Sequence, residues 1–255
     1  MPTQADIDRV ALALDPVQVA RAINIEPDLW QKDLLRSRAP RILLNASRQS
    51  GKSTMVSIIG VHRAVFTPNS LILLVSRTLD QSVELFRKCQ VAYRAISHLA
   101  PAISDTAATL ELKNGSRIVS LPGRDDARVR GYSNVDLLLI DEAARVSVSI
   151  FEAVLPMLAV SGGRLIALST PFGARGWWYE EWMNLRGEWE RHLVRATEVP
   201  RISDEFLAEM KRKGEAFYKE EFMCSFEDAH SQWFTREEVE KNIKEITTWD
   251  LLKVS

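Results

Sequence analysis

Four short stretches of the 255-residue sequence are almost entirely apolar, and segments with helical character separate them. They span residues 41–45, 71–75, 135–140 and 164–168. A strand with one face in water alternates apolar and polar side chains, whereas a parallel strand covered by helices on both faces is apolar throughout. The pattern therefore predicts an α/β fold with a mainly parallel sheet, completed by about residue 175.

The strongest hairpin signal lies between the second and third apolar stretches. Residues 109–113 and 116–121 have strand character, and Asn114 and Gly115 connect them. Asparagine and glycine tolerate the positive φ angles that a type I′ turn requires at both central positions. We therefore expect an antiparallel hairpin added to the parallel sheet.

Helical segments flank and separate the strands. The first forty residues predict two or three short helices, one of them over residues 28–37. Thr78 and Gln81 have the spacing of a capping box, which predicts a helix that continues to Tyr93. A further capping box at residues 235–238 predicts a helix that runs to the last residue.

The charge of the chain is nearly balanced, with 33 Lys and Arg residues against 34 Asp and Glu residues. This balance excludes a protein that holds nucleic acid by overall positive charge, and it leaves open a local basic face. No apolar run approaches the roughly 20 residues that cross a bilayer, so we expect no membrane partner. Cys89 and Cys224 have no metal-ligand spacing, and we expect them to be free thiols, with a single disulfide bridge between them as the alternative.

The most specific segment, residues 46–54, lies between the first apolar stretch and a helical segment. It matches the phosphate-loop pattern G-x-x-x-x-G-K-[ST], except that alanine replaces the first glycine. Gly51 lets backbone N–H groups turn toward phosphate oxygens, Lys52 can reach the β- and γ-phosphates, and Ser53 can bind Mg²⁺. We therefore expect a bound nucleotide together with Mg²⁺. The predicted nucleotide-binding residues of the loop are Ser47, Arg48, Gln49, Ser50, Gly51, Lys52, Ser53 and Thr54.

Two adjacent carboxylates, Asp141 and Glu142, follow the third apolar stretch. Ligands of open α/β sheets bind at the carboxyl ends of the strands. Asp141 would hold Mg²⁺, and Glu142 would orient and deprotonate the attacking water. A pair of solvated acids that caps the next helix is the alternative. The position of the pair at a strand end, downstream of the phosphate loop, favours the catalytic interpretation.

Two weaker signals are compatible with the same site. Ser169 and Thr170 end the fourth apolar stretch and could sense the γ-phosphate, or they could simply cap a turn. Trp30 and Gln31 precede the loop, and an aromatic ring with an amide could stack on adenine and pair with it. An ordinary amphipathic helix is the alternative for this second pair.

Arginines occur inside the loop and just before the acidic strand. Arg48 belongs to the loop, and Arg124, Arg128 and Arg130 cluster upstream of the third stretch. An arginine near the γ-phosphate stabilises the charge of the transition state and can come from the same chain or a neighbouring one. We therefore treat Arg48, Arg128 and Arg130 as candidate catalytic residues, with solvated loop arginines as the alternative.

A tryptophan-rich, charged segment begins near residue 176. Trp177, Trp178, Trp182 and Trp189 could stack on bases, but glutamates lie among them. The acidic neighbours favour packing in a core or lid over contact with nucleic acid.

Taken together, these residues resemble the ATPase half of the large terminase subunit of tailed bacteriophages, the motor that packages DNA into procapsids. As a set the motifs are specific, whereas helicases share the loop and the acidic pair. The resemblance is carried by Trp30 and Gln31, the variant loop with Arg48, Asp141 and Glu142, and the segments 169–171, 177–179 and 217–222.

The resemblance implies a RecA-like ASCE P-loop ATPase core over residues 1–175 and a small C-terminal lid subdomain over residues 176–242. It also implies that residues 243–255 begin a linker to a nuclease domain that this sequence lacks, so we expect no DNA cleavage. Arg48 would be the basic residue of the family's loop. Arg128 or Arg130 would reach the ATP of a neighbouring subunit.

The family resemblance further implies a set of partners and a location. We expect a homo-oligomeric ring on a portal, a small terminase subunit as partner, and double-stranded DNA that this domain alone binds weakly. The expected location is the host cytoplasm. Two other functions stay open: the first RecA-like domain of a superfamily 2 helicase, and a regulatory module that binds nucleotide without hydrolysis. The short length after the core disfavours the helicase, and Glu142 disfavours the module.

Overall fold

The computed structural model describes residues 3–122 and 131–227. In these residues, eight strands form one sheet: β1 Arg41–Ala46, β2 Leu71–Ser76, β3 Ala102–Asp105, β4 Thr109–Leu112, β5 Arg117–Pro122, β6 Leu137–Asp141, β7 Arg164–Ser169 and β8 Glu190–Val194. Their order across the sheet is β3-β4-β5-β2-β6-β7-β1-β8. The four apolar stretches of the sequence form β1, β2, β6 and β7, which are neighbouring strands in the interior of the sheet.

The pairing confirms a mainly parallel sheet with an antiparallel addition. Strands β5, β2, β6, β7, β1 and β8 pair in parallel, whereas β4 is antiparallel to both β3 and β5. The register places Ser76 opposite Asp141 and Asn45 opposite Ser169. The carboxyl ends of the central strands therefore meet at one edge of the sheet.

Helices cover both faces of the sheet. In the described residues the α-helices are α1 Gln4–Leu14, α2 Val17–Ala22, α3 Leu29–Arg36, α4 Lys52–Phe66, α5 Leu79–Ile96, α6 Val148–Ala159, α7 Gly176–Met183, α8 Asp204–Lys213 and α9 Glu215–Glu221. Helices α2 to α5 contribute to one core cluster, and α6 and α7 contribute to the other. In β1, Ile42 and Leu44 belong to the first cluster and Leu43 to the second. Burial on both faces explains the unbroken apolar stretches.

The tryptophan-rich segment packs inside the protein. Trp177 and Trp178 are buried in the second cluster, and Trp182 and Trp189 pack against it. The ring of Trp177 stacks on Phe151 at a centroid distance of 3.9 Å. The predicted packing role of these residues is thereby confirmed.

The predicted hairpin forms, but its turn is not of type I′. Of Asn114 and Gly115, only Gly115 has a positive φ, at 84°. The N–H of Gly115 donates to the carbonyl of Leu112 at 3.0 Å. The side-chain amide of Asn114 donates to the carbonyls of Ala64 and Val65, in the last turn of α4. The side-chain amide of Asn114 thus satisfies carbonyls at the end of a helix, while its Oδ1 accepts the N–H of Ser116 at 3.0 Å within the turn.

Strand β8 comes from the segment 176–242 that we assigned to a lid. It pairs in parallel with β1, so the sheet uses residues beyond 175. A small separate cluster of Ala196, Leu207, Met210 and Phe222 joins α8 and α9. The core therefore extends further along the chain than the sequence boundary at residue 175.

The expectations about membrane-spanning segments and about the cysteines can be compared with the described residues. None of the helices there combines the length and the hydropathy that a membrane span requires. Cys89 and Cys224 are free and buried, as expected for thiols without a bridge. Burial raises the pKa of each thiol to about 12, so neither is a nucleophile at neutral pH.

Candidate nucleotide site

The loop between β1 and α4 has the backbone geometry of an anion-binding turn. Gln49 and Gly51 both have positive φ angles, of 59° and 90°. The φ of 90° at Gly51 favours glycine, and a Cβ atom there would also lie only 3.0 Å from Nε2 of Gln31. Helix α4 begins at Lys52, directly after this turn, and its N-terminus provides unpaired N–H groups for an anion.

Lys52 and several hydroxyl groups are enclosed at this edge of the sheet. The Lys52 side chain is largely buried, and its Nζ donates to the carbonyl of Ser47 at 3.3 Å. Among the described residues, the Oγ atoms of Ser47, Ser76 and Ser169 are buried without a hydrogen-bond partner. Unsatisfied buried polar groups are rare in proteins and call for a ligand or ordered water. Their position fits a polar ligand beside Lys52.

The acidic pair lies where the sequence predicted, at the carboxyl end of β6. Asp141 is buried, and its Oδ1 accepts the N–H of Glu142 at 2.9 Å. Glu142 has a left-handed backbone, with φ 53° and ψ 40°, which is uncommon for a residue with a side chain. Burial raises the pKa of Glu142 and the charge of Asp141 adds to this effect, while Lys52 and Arg145 oppose it. The result is a carboxylate with a raised affinity for a proton.

The side chain of Arg48 is paired with a glutamate from α9. Its Nε and Nη2 donate to Oε2 and Oε1 of Glu221 at 2.8 and 3.1 Å. Burial alone would raise the pKa of the Glu221 carboxyl, but hydrogen bonds from Arg48 and Thr170 lower it overall. Glu221 therefore connects the phosphate loop to Thr170, the residue that directly follows β7.

Arg145 connects this pair to the predicted catalytic base. Its Nη2 lies 3.4 Å from Oε1 of Glu221, and its Nε lies 3.7 Å from Oε2 of Glu142. The guanidinium also stacks over the ring of Phe172, at 4.1 Å from its centroid. One arginine thus contacts both acids and the segment that follows β7.

The side chain of Gln31 connects the start of α3 to the phosphate loop. Its Oε1 accepts the N–H of Asp28 at 2.9 Å, and its Nε2 donates to the carbonyl of Ser50 at 3.1 Å. An amide group has two hydrogens and two lone pairs, so one of each remains for a nucleotide base. Trp30 packs against the core with its Nε1 buried and unpaired.

A second residue holds the carbonyl of Ser50. Arg201 donates from Nη2 to this carbonyl at 3.0 Å and forms an ion pair with Asp28 at 2.8 Å. Next to this contact lies a cleft of about 310 Å³. It is lined by Asn24, Ile25, Glu26, Gln31, Gly51, Thr54, Met55 and Arg201.

The structure brings most of the predicted site residues to one sheet edge. Ser53 and Thr54 lie in the first turn of α4, and Ser169 and Thr170 lie at the buried end of β7. The candidate finger residues Arg124, Arg128 and Arg130 lie outside the described residues, as do residues 228–255. Sequence reasoning did not identify Glu221, Arg145 or Arg201, although Glu221 falls in the segment 217–222 that the resemblance singled out.

The donor set fits a magnesium ion shared with a nucleotide better than a metal held by protein alone. In the described ranges no group of three or more His, Cys, Asp or Glu side chains is arranged to hold a metal. Mg²⁺ is commonly bound by one or two protein oxygens together with phosphates and water. Ser53 and Asp141 supply such oxygens.

Comparison with known proteins gives a family for this fold and site. A family model described as "Terminase large subunit, T4likevirus-type, N-terminal" matches residues 43–241. The terminase large subunit of Thermus virus P23-45 is 28% identical over 176 residues, which cover 62% of this chain and 36% of the relative. This chain therefore corresponds to about a third of the length of that relative.

Solved structures share the fold. The large terminase ATPase domain of Thermus phage P74-26 superimposes with a TM-score of 0.72 at 22% identity, covering 81% of this chain and 96% of the other. The large terminase of bacteriophage D6E in complex with ADP gives a TM-score of 0.64 at 15% identity, covering 82% and 53%. The fold is therefore that of the terminase ATPase domains, which agrees with the RecA-like architecture expected from the sequence. The family model matches most of this chain, residues 43–241. This chain therefore belongs to the terminase large-subunit family and corresponds to the N-terminal region that the model describes.

Proposed function

We propose that this chain is an ATP-hydrolysing motor domain that drives the packaging of viral double-stranded DNA into a procapsid. The observation that carries the proposal is the enclosure of Lys52 at the same sheet edge as the pair Asp141 and Glu142. A phosphate loop alone would serve any nucleotide-binding protein, whereas a base next to a magnesium carboxylate serves hydrolysis. Family membership supplies the packaging role, and the ADP complex of a relative supports the choice of nucleotide.

In this proposal the residues of the loop hold and orient the triphosphate. The N–H groups that follow Gly51 and the charge of Lys52 bind the phosphates, and Ser53 and Asp141 hold Mg²⁺. The bound metal would neutralise the charge that develops on the phosphate oxygens. Ser169 and Thr170 lie where the loss of the γ-phosphate could be detected.

Glu142 would take a proton from the attacking water at its carboxylate. Its raised pKa makes it a stronger base than an exposed glutamate. Arg145, 3.7 Å away, sets the position of this carboxylate. A module that only binds nucleotide has no need of such a base.

The wider assembly follows from the family. We propose that the full-length protein works as a homo-oligomeric ring on a portal, with a small terminase subunit, in the host cytoplasm. Arg128 or Arg130 would then reach the nucleotide of a neighbouring subunit. With a net charge of −1, this domain alone would bind DNA only weakly.

The proposed activity is tested by measuring phosphate release from ATP with three variants. Lys52→Ala should lose ATP binding, and Glu142→Gln should keep binding but lose hydrolysis by about 10²-fold or more. Glu152→Gln, an exposed glutamate on α6, is the matched control and should hydrolyse at the parent rate. If Glu142→Gln hydrolyses as fast as the parent, the assignment of the base is wrong.

A further inference from the structure

A second polar cavity lies at the opposite edge of the sheet from the phosphate loop. It has a volume of about 250 Å³ and opens beside the starting residues of β6 and β7. At about 30 Å³ per water molecule, this volume holds a tetrahedral oxyanion with part of its hydration shell. The lining residues are Pro16, Leu35, Arg38, Ile59, His62, Arg63, Leu137 and Arg164.

Three of the lining side chains are arginines, and none is a carboxylate. Three acids act on the lining residues: Asp136 pairs with Arg63 at 3.1 Å, and the charge of Glu190 acts on Arg164. The charge of Asp15 acts on His62, but Asp15 itself is paired with Arg36 at 2.7 Å. Both oxygens of Asp136 are already used, because the second accepts the N–H of Leu71 at 3.0 Å. The acids therefore balance only part of the positive charge around the cavity.

The arginines are held close enough together to repel one another. Burial lowers the pKa of Arg164, and the charges of Arg38 and Arg63 lower it further. A guanidinium remains charged at neutral pH despite such shifts. The cluster therefore has an unfavourable interaction that a bound anion would relieve.

Several hydrogen-bond donors of the cluster are unused. Arg38 is exposed, and within the described chain its guanidinium makes no hydrogen bond or ion pair to protein. Nε of Arg63 is buried without a partner. Arg164 donates from Nε and Nη2 to the carbonyls of Ala39 and Ser37, both at 3.1 Å, which fixes its plane. One rigid arginine and two with free donors together form a site suited to phosphate oxygens.

We propose that this arginine cavity, defined by Arg38, Arg63 and Arg164, binds a phosphate group. Its occupant has the chemistry of a tetrahedral oxyanion, either free inorganic phosphate or a phosphodiester of DNA. The site goes beyond the proposed function, because it lies at the other edge of the sheet from the phosphate loop and takes no part in hydrolysis. Its three arginines would supply a local basic face on a chain whose overall charge is nearly neutral.

The first test uses inorganic phosphate and a chain whose phosphate loop is disabled. In a Lys52→Ala background, phosphate should raise the melting temperature relative to chloride at equal ionic strength. Adding Arg38→Gln should weaken the apparent affinity about tenfold, through the loss of charge-assisted hydrogen bonds. Arg63→Lys, which keeps the charge opposite Asp136 but lacks Nε, should weaken it as well. Arg94→Gln on α5, an exposed arginine away from the cavity, should have no effect.

The second test distinguishes the two sources of the phosphate group. Binding of a labelled DNA duplex is followed by fluorescence anisotropy over a range of salt concentrations. If the occupant is a DNA phosphodiester, Arg38→Gln should reduce the slope of log K against log salt by about 0.9. If the occupant is free phosphate, the slope for Arg38→Gln should match the slope for Arg94→Gln. The rise in melting temperature with phosphate should then be lost in Arg38→Gln but not in Arg94→Gln.

The proposal is overturned if Arg38→Gln and Arg63→Lys match Arg94→Gln in both measurements. Because the phosphate test is made in the Lys52→Ala chain, it does not depend on ATP hydrolysis. Conversely, Arg38→Gln should leave ATP hydrolysis at the parent rate. Failure of this proposal and failure of the proposed function can therefore be told apart.

Discussion

The guanidinium of Arg48 and the carboxylate of Glu221 form a two-point ion pair, with N–O distances of 2.8 and 3.1 Å. The backbones of the same residues are also joined, because the N–H of Arg48 donates to the Glu221 carbonyl at 3.0 Å. Arg48 lies in the phosphate loop, where in the proposed function the γ-phosphate of ATP would be a competing anion. A nucleotide that takes the arginine from the glutamate would leave Glu221 buried with less charge compensation. In that case the pair would couple occupancy of the loop to the position of α9.

The first prediction concerns the stability of this pair. Glu221→Gln should lower the stability of the nucleotide-free chain by about 1 kcal/mol, since Arg48 is half exposed and can be solvated. For a domain of this size that corresponds to a fall in melting temperature of about 2–4 °C. The variant should also bind ATP more tightly than the parent, because Arg48 no longer has to leave a carboxylate. Thermal unfolding with and without ATP measures both effects.

The control for this prediction is Glu215→Gln on the same helix. Glu215 is exposed and lies 3.9 Å from Lys211, so its loss should change the melting temperature very little. Equal melting temperatures for Glu221→Gln and Glu215→Gln would show that the ion pair does not stabilise the free chain.

The second prediction is that the contribution of the Arg48–Glu221 ion pair to stability depends on pH. The folded-state pKa of Glu221 lies below its ordinary value of 4.5. A depressed carboxyl pKa adds stability above the unfolded pKa, and this stability is lost as pH falls through the folded pKa. The difference in unfolding free energy between parent and Glu221→Gln should therefore be constant near neutral pH and shrink at pH values below 4.5. A difference that grows on acidification would contradict the assignment.

The sequence predicted the parts of the site that depend on local patterns. The loop at Gly51 and Lys52 and the pair Asp141 and Glu142 are contiguous motifs at the ends of apolar strands. Glu221 could not be assigned a role in this way, because its partner Arg48 is 173 residues away in the chain. Contacts of this kind depend on the tertiary fold and leave no periodic signal.

The strands that sequence reasoning missed have a similar explanation. Strand β8, Glu190–Val194, carries charged residues and is partly exposed along most of its length. Strand β3, Ala102–Asp105, alternates between half-buried and exposed positions. Both are edge strands, which other elements cover less than they cover interior strands. Neither therefore shows the continuous apolar pattern that identified β1, β2, β6 and β7.

The third prediction concerns the acid limb of the pH–rate profile, which is the fall in ATP hydrolysis at low pH. In the proposed function Glu142 would act as a base only when deprotonated, and its pKa is raised by burial and by Asp141. Activity should therefore be present above this raised pKa and fall tenfold per pH unit below it. Rates of phosphate release from pH 4.5 to 8 at saturating ATP measure the limb. A limb at the ordinary carboxyl value of 4.5 or below would contradict the assignment.

Arg145 provides a matched variant for the same experiment. Its charge lowers the pKa of Glu142, so Arg145→Gln should move the acid limb to higher pH, whereas Arg145→Lys should leave it nearer the parent position. A variant that merely loosened the fold would reduce the rate without moving the limb. An unmoved limb in Arg145→Gln would show that Arg145 does not act on Glu142.

The final prediction concerns Arg201, which binds both Asp28 and the carbonyl of Ser50. Arg201→Lys keeps the charge but cannot make both contacts at once, because an ammonium group lacks the planar fork of guanidinium. The carbonyl of Ser50 would then be held by Gln31 alone, and the loop would be less well ordered before nucleotide binds. We expect the KM for ATP to rise about tenfold while kcat changes less than threefold, since the lost contact orders the loop for binding. Steady-state kinetics, with Arg212→Lys on the exposed surface of α8 as the control, measures this difference. A fall in kcat with unchanged KM would instead place Arg201 in the chemical step.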